Sequence, residues 1–564
     1  MQQVFKRGII GLIFFINFTT YAQRLKVKYD TDLRKSVFTY KNGETVPFSE
    51  LIKYEEIIVR HTRHVTLPKS IGLLKNLKVL NLGYCKNLTI PKEIEQLTQL
   101  QELNLSNCKL TKLPSEIGRL KNLRVLNLAS NKFEKFPVTL LKLTKLEELY
   151  LQSNRYLSKI PNDINKLSNL KVLNINNIGC SSLPIQIGAL AKLEKLYLAN
   201  PLRKLPEEMA NLKNLRRLVM SGNSLKHIPL VIFKLKKLEY LHLSLNYIES
   251  IPPEIGELTA LRVLKLRRNK ITHIPYEIRQ LKNLEELDLM SNKIRYIPSW
   301  IGRFSELRIL NLKYNDIQEL PLELGKLQKL EKLFLGYNEL SYFGSIYQFK
   351  NLRVLDLSHN HLIRLSLVMY PLKHLRSLNV SHNKLLEIPA DLGQLTSLKY
   401  LQLQSNQIKS LPPEMALLTH LTLLNLYDNQ LQSITFDISK LRMLEALKLG
   451  HNKFEKVPLI IAKLRQLRTL ELRNNQIQEI PKEIFELTYL NTLDLSNNQI
   501  QKLSPAIANT KAYDLKLANN QLKKLPAVLY KNYSIDRIDL HGNPLSKKQK
   551  AMIKKRWGNR ASLN

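Results

Sequence analysis

The stretch from Leu123 to Pro137, Leu-Arg-Val-Leu-Asn-Leu-Ala-Ser-Asn-Lys-Phe-Glu-Lys-Phe-Pro, decides the fold, because most of the chain rewrites it. Laid on itself, the sequence restarts this phrase at Leu146, Leu170, Leu193 and onward to Ile535, and upstream at Leu100, Leu77 and, in degraded form, Tyr54. The result is about 22 units, mostly 23 residues long. Within the phrase, Leu126 and Leu128 alternate as in a short strand, so they face a core while Val125, Asn127 and Ala129 face out. Asn131 then turns the chain.

Asn131 is the polar residue that recurs at an inward-facing turn, as at Asn223, Asn269, Asn315, Asn406, Asn452 and Asn498. A buried amide must be hydrogen-bonded, and identical amides on successive coils can satisfy backbone groups of the coil beside them. After the turn, Phe133 and Phe136 return to the core and Pro137 prevents strand pairing. Ile117, Leu120 and Leu123 are spaced by three, which suits a 3₁₀ or short α-helical segment. The expected fold class is therefore an α/β solenoid, with a parallel sheet on a concave face and short 3₁₀ or α segments on the convex one. A single unit encloses no core, but stacked units bury a continuous one.

This periodicity sets the domain organisation of the 564 residues. Residues 1–22 read as a secretory signal peptide: Lys6 and Arg7, an apolar run from Ile9 to Phe18, and Thr20-Tyr21-Ala22 before Gln23. An uncleaved anchor is the other reading of that segment. Residues 23–53 break the period, and alternation around Asn42-Gly43 predicts a hairpin that caps the first coil. The array runs over 54–545. Residues 546–564 form a basic tail in which Ala551, Met552, Ile553 and Trp557 suggest a short amphipathic helix turned onto the last coil. The period slips at Arg155-Tyr156, at Asn200-Pro201 and at Phe343-Gly344-Ser345.

The three cysteines are Cys85, Cys108 and Cys180. Cys85 and Cys108 take the ladder position in adjacent units, about 5 Å apart if their strands pair. Two readings stay open for them, a disulfide in an exported protein and a pair of buried thiols. Cys180 falls where other units place Leu or Ile, so it reads as core.

The net charge is +40. Lysines such as Lys75, Lys121, Lys142, Lys145, Lys166, Lys213, Lys234, Lys236 and Lys237 gather on the non-strand side. Outward strand positions mix signs, with Asp288, Asp356, Glu471 and Asp494 against Lys265, Arg267, Lys448 and Arg473. That distribution reads as a solvated basic back, or else as a site for anionic glycans or lipid head groups, and it makes nucleic acid an unlikely partner. No second apolar run of membrane-spanning length follows the first.

Candidate binding residues lie on the strand face, where variation costs the fold nothing. Tyr314, Tyr337, His359 and His382 occupy one equivalent position in four successive units, with Phe334, Tyr400 and Tyr427 facing outward close by. Exposed aromatics are enriched at binding hot spots, although such rings can also stack merely along a rim. A secondary patch comprises Tyr150, Tyr197, Tyr240 and His242. His359 and His382, with Asp356, stand as candidate metal ligands but lack a firm third donor, so neither metal nor cofactor is expected. G-x-S-x-G, P-loop and H-E-x-x-H motifs are absent, which argues against an enzyme.

Leu113 to Asn131, Leu-Pro-x-x-Ile-Gly-x-Leu-x-x-Leu-x-x-Leu-x-Leu-x-x-Asn, resembles the 23-residue leucine-rich repeat of bacterial repeat proteins and of Ras-group and Scribble-like scaffolds. The resemblance covers roughly 54–545. It implies a curved solenoid that binds protein partners through its concave face. The disulfide-bonded end caps of animal extracellular members find no cysteines here in 24–53 or after 546. Together these readings predict an exported, non-enzymatic protein-binding module that is periplasmic, cell-surface or secreted.

Overall fold

The computed structural model describes residues 54–58, 67–202, 204–343, 349–365 and 372–563, together with the backbone of 26–28, 37–39 and 45–47. The segment expected to be a leader, 1–22, lies outside the described residues, as do Gly344 and Ser345 of the slip that begins at Phe343 and the turn at Asn42-Gly43. Strands β1 (Lys26–Lys28), β2 (Val37–Thr39) and β3 (Thr45–Pro47) form a small antiparallel sheet in the order β1-β2-β3. Thr39 is opposite Thr45 across β2 and β3.

Beyond these strands the chain divides into two compact units, Met1–Asn200 and Pro201–Asn564. The division falls where the period drops a residue at Asn200-Pro201. In the first unit, β4 (Glu56–Ile58) to β10 (Lys195–Tyr197) run parallel in chain order. In the second, β11 (Arg217–Val219) to β26 (Ala561–Ser562) do the same. The register advances by one whole repeat per strand, pairing Leu264 with Leu287 and Leu287 with Leu310. Those central leucines are fully buried. A one-residue slip would turn every one of them outward, so the hydrophobic pattern fixes the register.

The strands of the repeats have three residues because the chain then enters the left-handed region at the residue before the ladder asparagine: Arg268 φ 54°, Ser291 φ 55°, Asn474 φ 55°. Backbone pairing continues around that corner, with Ser291 N–H donating to Lys313 O (2.8 Å) and Asn292 N–H to Tyr314 O (3.2 Å). A proline next leads a 3₁₀ turn, as Pro114 does for Ser115–Arg119, and Leu120 N–H donates back to Ile117 O (3.1 Å). The spacing of three in Ile117, Leu120 and Leu123 therefore belongs to 3₁₀ turns, and all three side chains are fully buried.

At the C-terminus, helix α1 (Lys547–Trp557) is capped by Ser546, whose hydroxyl accepts from Gln549 N–H (3.3 Å). Ile553 and Trp557, four apart, bury against the last coil, and Trp557 Nε1 donates to Ile535 O (3.0 Å). Ala551 and Met552 are exposed, contrary to the sequence expectation. At 100° per residue they turn away from the stripe that Ile553 and Trp557 define. Past the helix, β26 pairs with β25 (Arg537–Asp539) and continues the sheet, an element the sequence did not suggest.

Candidate functional site

The ladder asparagines are structural groups. Asn315 Nδ2 donates to Leu289 O in the preceding coil (3.0 Å) and to Leu312 O in its own (3.0 Å), while its Oδ1 accepts from Ile294 N–H (3.0 Å). The same set recurs at Asn131, Asn269, Asn406, Asn452 and Asn498. Asn223 is fully buried, and its N–H donates to Asn246 Oδ1 (3.0 Å). The disulfide reading of Cys85 and Cys108 is corrected: both are free buried thiols. Cys108 Sγ donates to Leu82 O (3.1 Å), the carbonyl one coil back that a ladder amide would reach, and burial pushes this thiol up to about 12.

The residue just before each ladder amide sits at the exposed corner. In four successive coils of the second unit this position holds Tyr314, Tyr337, His359 and His382. Their rings stack with centroids 4.0, 3.8 and 4.0 Å apart and planes within 14° of parallel. All four have positive φ, 56°, 58°, 52° and 52°. The left-handed conformation costs an L-residue about 1–2 kcal/mol, least for Asn or Asp and none for Gly. The flanking coils use Ser291, Ser405 and Asp428 at the corner, and coils further away use Gly222, Leu245, Arg268, His451 and Gly542. Tyr314 and Tyr337 remain 41% and 36% exposed, so the strain is not offset by burying a ring.

The strands behind this ledge are β15 (Ile309–Asn311), β16 (Lys332–Phe334), β17 (Val354–Asp356) and β18 (Ser377–Asn379). Register places Asn311, Phe334, Asp356 and Asn379 side by side, so Phe334 flanks Tyr337 on one rung. Lys313 Nζ reaches Asp356 Oδ2 (2.7 Å), two rungs away. It crosses Gly336, where an added Cβ would meet Ser358 Oγ at 2.8 Å and Lys313 Cε at 3.1 Å. Asp356 also accepts from Ser358 N–H and Oγ (3.0 and 2.6 Å). The floor beneath the rings is thus a closed polar network.

Burial, then the neighbouring His382 and Lys313, hold the His359 imidazole below its usual range, with Asp356 opposing. Parallel stacking also leaves the in-plane nitrogen lone pairs of His359 and His382 side by side instead of convergent on one ion. Among the described residues, no three His, Cys, Asp or Glu side chains group as metal ligands.

Tyr400 and Tyr427 do not join the stack. Tyr400 begins β19 (Tyr400–Gln402) and is exposed; Tyr427 stacks on His451 (5.8 Å) with Arg473 4.9 Å from its ring centre. The secondary patch is divided between the two units of the chain. Tyr150, in the first unit, is half-buried and donates to Glu148 Oε2 (2.6 Å), and Tyr197 lies two strands along, since both flank Asn174. In the second unit Tyr240 lies under Arg217 (3.8 Å) and edge-on to His242 (6.3 Å). Burial, with Lys265, Arg267 and Arg217 adding to it, lowers His242 to about 4.

The mixed outward charges pair across strands, Lys265 with Glu286 and Lys448 with Glu471, both at 2.8 Å. Several lysines of the 3₁₀ side act as struts between coils: Lys121 donates to Lys142 O (3.0 Å), Lys145 to Asn122 Oδ1 (2.8 Å) and Lys237 to Asn214 Oδ1 (2.9 Å). Sequence reading missed the Lys313–Asp356 bridge, although Gly336, two residues past β16, was its available signal. It also missed the exposed amide ladder Asn474, Asn497 and Asn519, whose side chains bond in sequence at 2.6 Å each.

A leucine-rich repeat region model matches residues 57–159, 252–338 and 337–460, and further leucine-rich repeat models match 465–507 and 237–258. A search of curated proteins returns no match. Among solved structures, the chain is similar to the Arabidopsis receptor kinase HAESA, solved in complex with the peptide hormone IDA and the co-receptor SERK1. That pair is 27% identical, covers 87% of each chain and has a TM-score of 0.63. A TDR receptor is 26% identical over 91% of this chain and 93% of its own, with TM-score 0.66. The plant peptide hormone receptor RGFR1, in complex with RGF2, is 25% identical over 94% and 98%, with TM-score 0.59.

Proposed function

The chain belongs to the leucine-rich repeat family, and from that premise we propose that it is an exported, non-enzymatic module that grips a partner protein with the sheet face of its second unit. The contact centres on Tyr314, Tyr337, His359 and His382, with Phe334 beside them and Tyr400 and Tyr427 further along. The observation that carries this reading is the ring stack: four aromatic side chains, three exposed and His359 half-buried, held in a backbone conformation that disfavours them, where the repeat itself requires no ring. Strain kept at an exposed site points to function. HAESA with its hormone and co-receptor, and RGFR1 with its peptide, support binding of a peptide or protein partner by such a fold.

Export is supported by the apolar leader at 1–22 and by likeness to the HAESA leucine-rich repeat ectodomain. Among the described residues no helix is long and apolar enough to cross a membrane. The reading assigns 23–53 and 546–564 as caps on the array. It is tested by capturing a partner from envelope and extracellular fractions on the chain from Gln23 onward. Replacing Tyr314, Phe334 and Tyr337 together with alanine should weaken that partner by at least about tenfold, the scale of one hot-spot contact. Unchanged affinity would remove the site.

A second reading, adhesion to an anionic glycan or lipid through the lysine-rich side of the 3₁₀ turns, is favoured by lysines exposed there, such as Lys142, Lys166, Lys213 and Lys234. Retention that collapses with added salt would select it over the sheet face.

A further inference from the structure

Resting on that reading of the sheet face, we infer that Arg353, Arg376 and Lys399 form a docking edge for a short acidic stretch of the protein partner, two carboxylates at positions i and i+2 of an extended segment. The three residues hold one equivalent position in successive coils, immediately before β17, β18 and β19. Arg376 N–H donates to Arg353 O (2.9 Å) and Lys399 N–H to Arg376 O (2.9 Å), so the three cations start one rung, or about 4.8 Å, apart. All three side chains are exposed.

Elsewhere in the second unit this position alternates in sign. Arg216 pairs with Glu239 on the next coil, Arg262 with Glu285 (2.8 Å), Arg308 with Glu331 (3.4 Å), and Arg468 with Glu445 on the coil before it (3.6 Å). Like charges side by side on neighbouring strands repel, and a carboxylate on every second coil is the arrangement that avoids this. The chain abandons it for three coils in a row. Among the described residues no carboxylate pairs with Arg353, Arg376 or Lys399. Glu331, one coil before them, is taken by Arg308, and segments 344–348 and 366–371 contain no acidic residue.

The limits of this run define what fits it. Glu331 bounds it on one side, Thr422 and then Glu445 on the other, so the uncompensated charge spans two rung intervals, about 10 Å. Side chains two apart in an extended segment share a face at a spacing of about 6.7 Å, which places two carboxylates within the run and a third outside it. A long polyanion would have to pass Glu331 or Glu445. Guanidinium groups receive carboxylates in a bidentate fork, which suits acidic side chains. Arg353 and Arg376 also share their coils with His359 and His382, six residues on and at most about 20 Å away, so a partner seated on the rings reaches the cations. Asp356 is the one carboxylate at the outward strand positions of these three coils, and Lys313 already holds it (2.7 Å). The floor between rings and cations therefore does not repel an acidic segment.

The test uses the full chain with ¹⁵N-labelled arginine at low ionic strength, the Nε signals being assigned with Arg262→Gln, Arg353→Gln and Arg376→Gln. It is titrated with a blocked Gly-Glu-Ser-Glu-Gly peptide, with its glutamine counterpart and with dextran sulfate. The acidic peptide should shift the Arg353 and Arg376 signals saturably and leave that of the paired Arg262 in place, and the glutamine peptide should bind at least about tenfold more weakly. Arg376→Glu restores the alternation, so it should abolish the Arg353 shift and raise the urea midpoint of unfolding. Arg262→Gln should leave peptide binding unchanged.

Equal responses to the two peptides, no response, an Arg353 shift that survives Arg376→Glu, or a urea midpoint lowered by Arg376→Glu would each overturn the docking edge. Dextran sulfate binding at least tenfold more tightly than the acidic peptide would overturn it in favour of a polyanion. If Arg376→Glu leaves partner capture intact while the Tyr314, Phe334 and Tyr337 alanine variant loses it, the docking edge falls and the ring contact stands. The reverse pattern removes the ring contact and not the docking edge.

Discussion

Two segments of one edge in the second unit have the same backbone and opposite chemistry. Tyr314, Tyr337, His359 and His382 turn the corner with φ of 52–58°, and Asn474, Asn497 and Asn519 turn it with φ of 52–55°. The asparagines tolerate that conformation and bond to one another, Asn497 Nδ2 to Asn474 Oδ1 and Asn519 Nδ2 to Asn497 Oδ1. The tyrosines tolerate it poorly and recover only part of the cost by stacking, about 0.5–1.5 kcal/mol per ring pair. The repeat dictates the corner and leaves its occupant free, so the ring segment is something added to the fold.

The most damaging change should therefore be one residue away from the rings, where the fold does dictate the side chain. Asn338→Ala strands Leu312 O, Leu335 O and Ile317 N–H in the core and should cost about 2–4 kcal/mol in urea unfolding. A loss no larger than that of a corner substitution would erase the distinction between required and free positions.

Exchanging the two segments comes next. Asn497→Tyr places a lone ring in the left-handed region and breaks the amide ladder, so about 1–2 kcal/mol should be lost. Tyr314→Asn removes a ring with only one stacked neighbour and relieves strain, and should leave the protein about 0.5 kcal/mol more stable while weakening the partner. A clear loss of stability from Tyr314→Asn would mean that the rings are there for rim packing.

The smallest effect is a titration confined to the ring segment. His359 has a folded-state pKa below its unfolded value, so its contribution to stability is present above the unfolded imidazole pKa and is lost as pH falls through the folded one. Its Cε1 signal should titrate at lower pH than that of a model imidazole. His382→Ala, which removes a cause of the depression, should move that midpoint upward, and an unmoved midpoint would sever the proposed coupling within the stack.

Much of this was legible in the chain alone. The 23-residue period gave the strand, the turn and the three-spaced apolar residues of the 3₁₀ segment, because an array repeats one local solution and every copy votes for it. The equivalence of Tyr314, Tyr337, His359 and His382 came from the same alignment. Tyr400 and Tyr427 read from the sequence as outward-facing neighbours of that series, and the structure separates them because they begin a strand and follow one, at different distances from the corner. Ala551 and Met552 are exposed on α1 although the sequence suggests an inward side for them, because composition reports how many apolar residues a helix has and not where its axis lies.

By itself the sequence determined the repeat, its register and the identity of the residue at each turn, since those depend on contacts at fixed separations of 20 to 26 residues. Tertiary structure alone decided what those separations do to side chains. It put the corner in the left-handed region, brought four rings to 4 Å, and let Lys313 pass over Gly336 to Asp356. It also left Gln404 Oε1 buried without a donor. The physical reason is that strain, stacking and unmet hydrogen bonds belong to the space between coils, whereas the period records only that the coils recur.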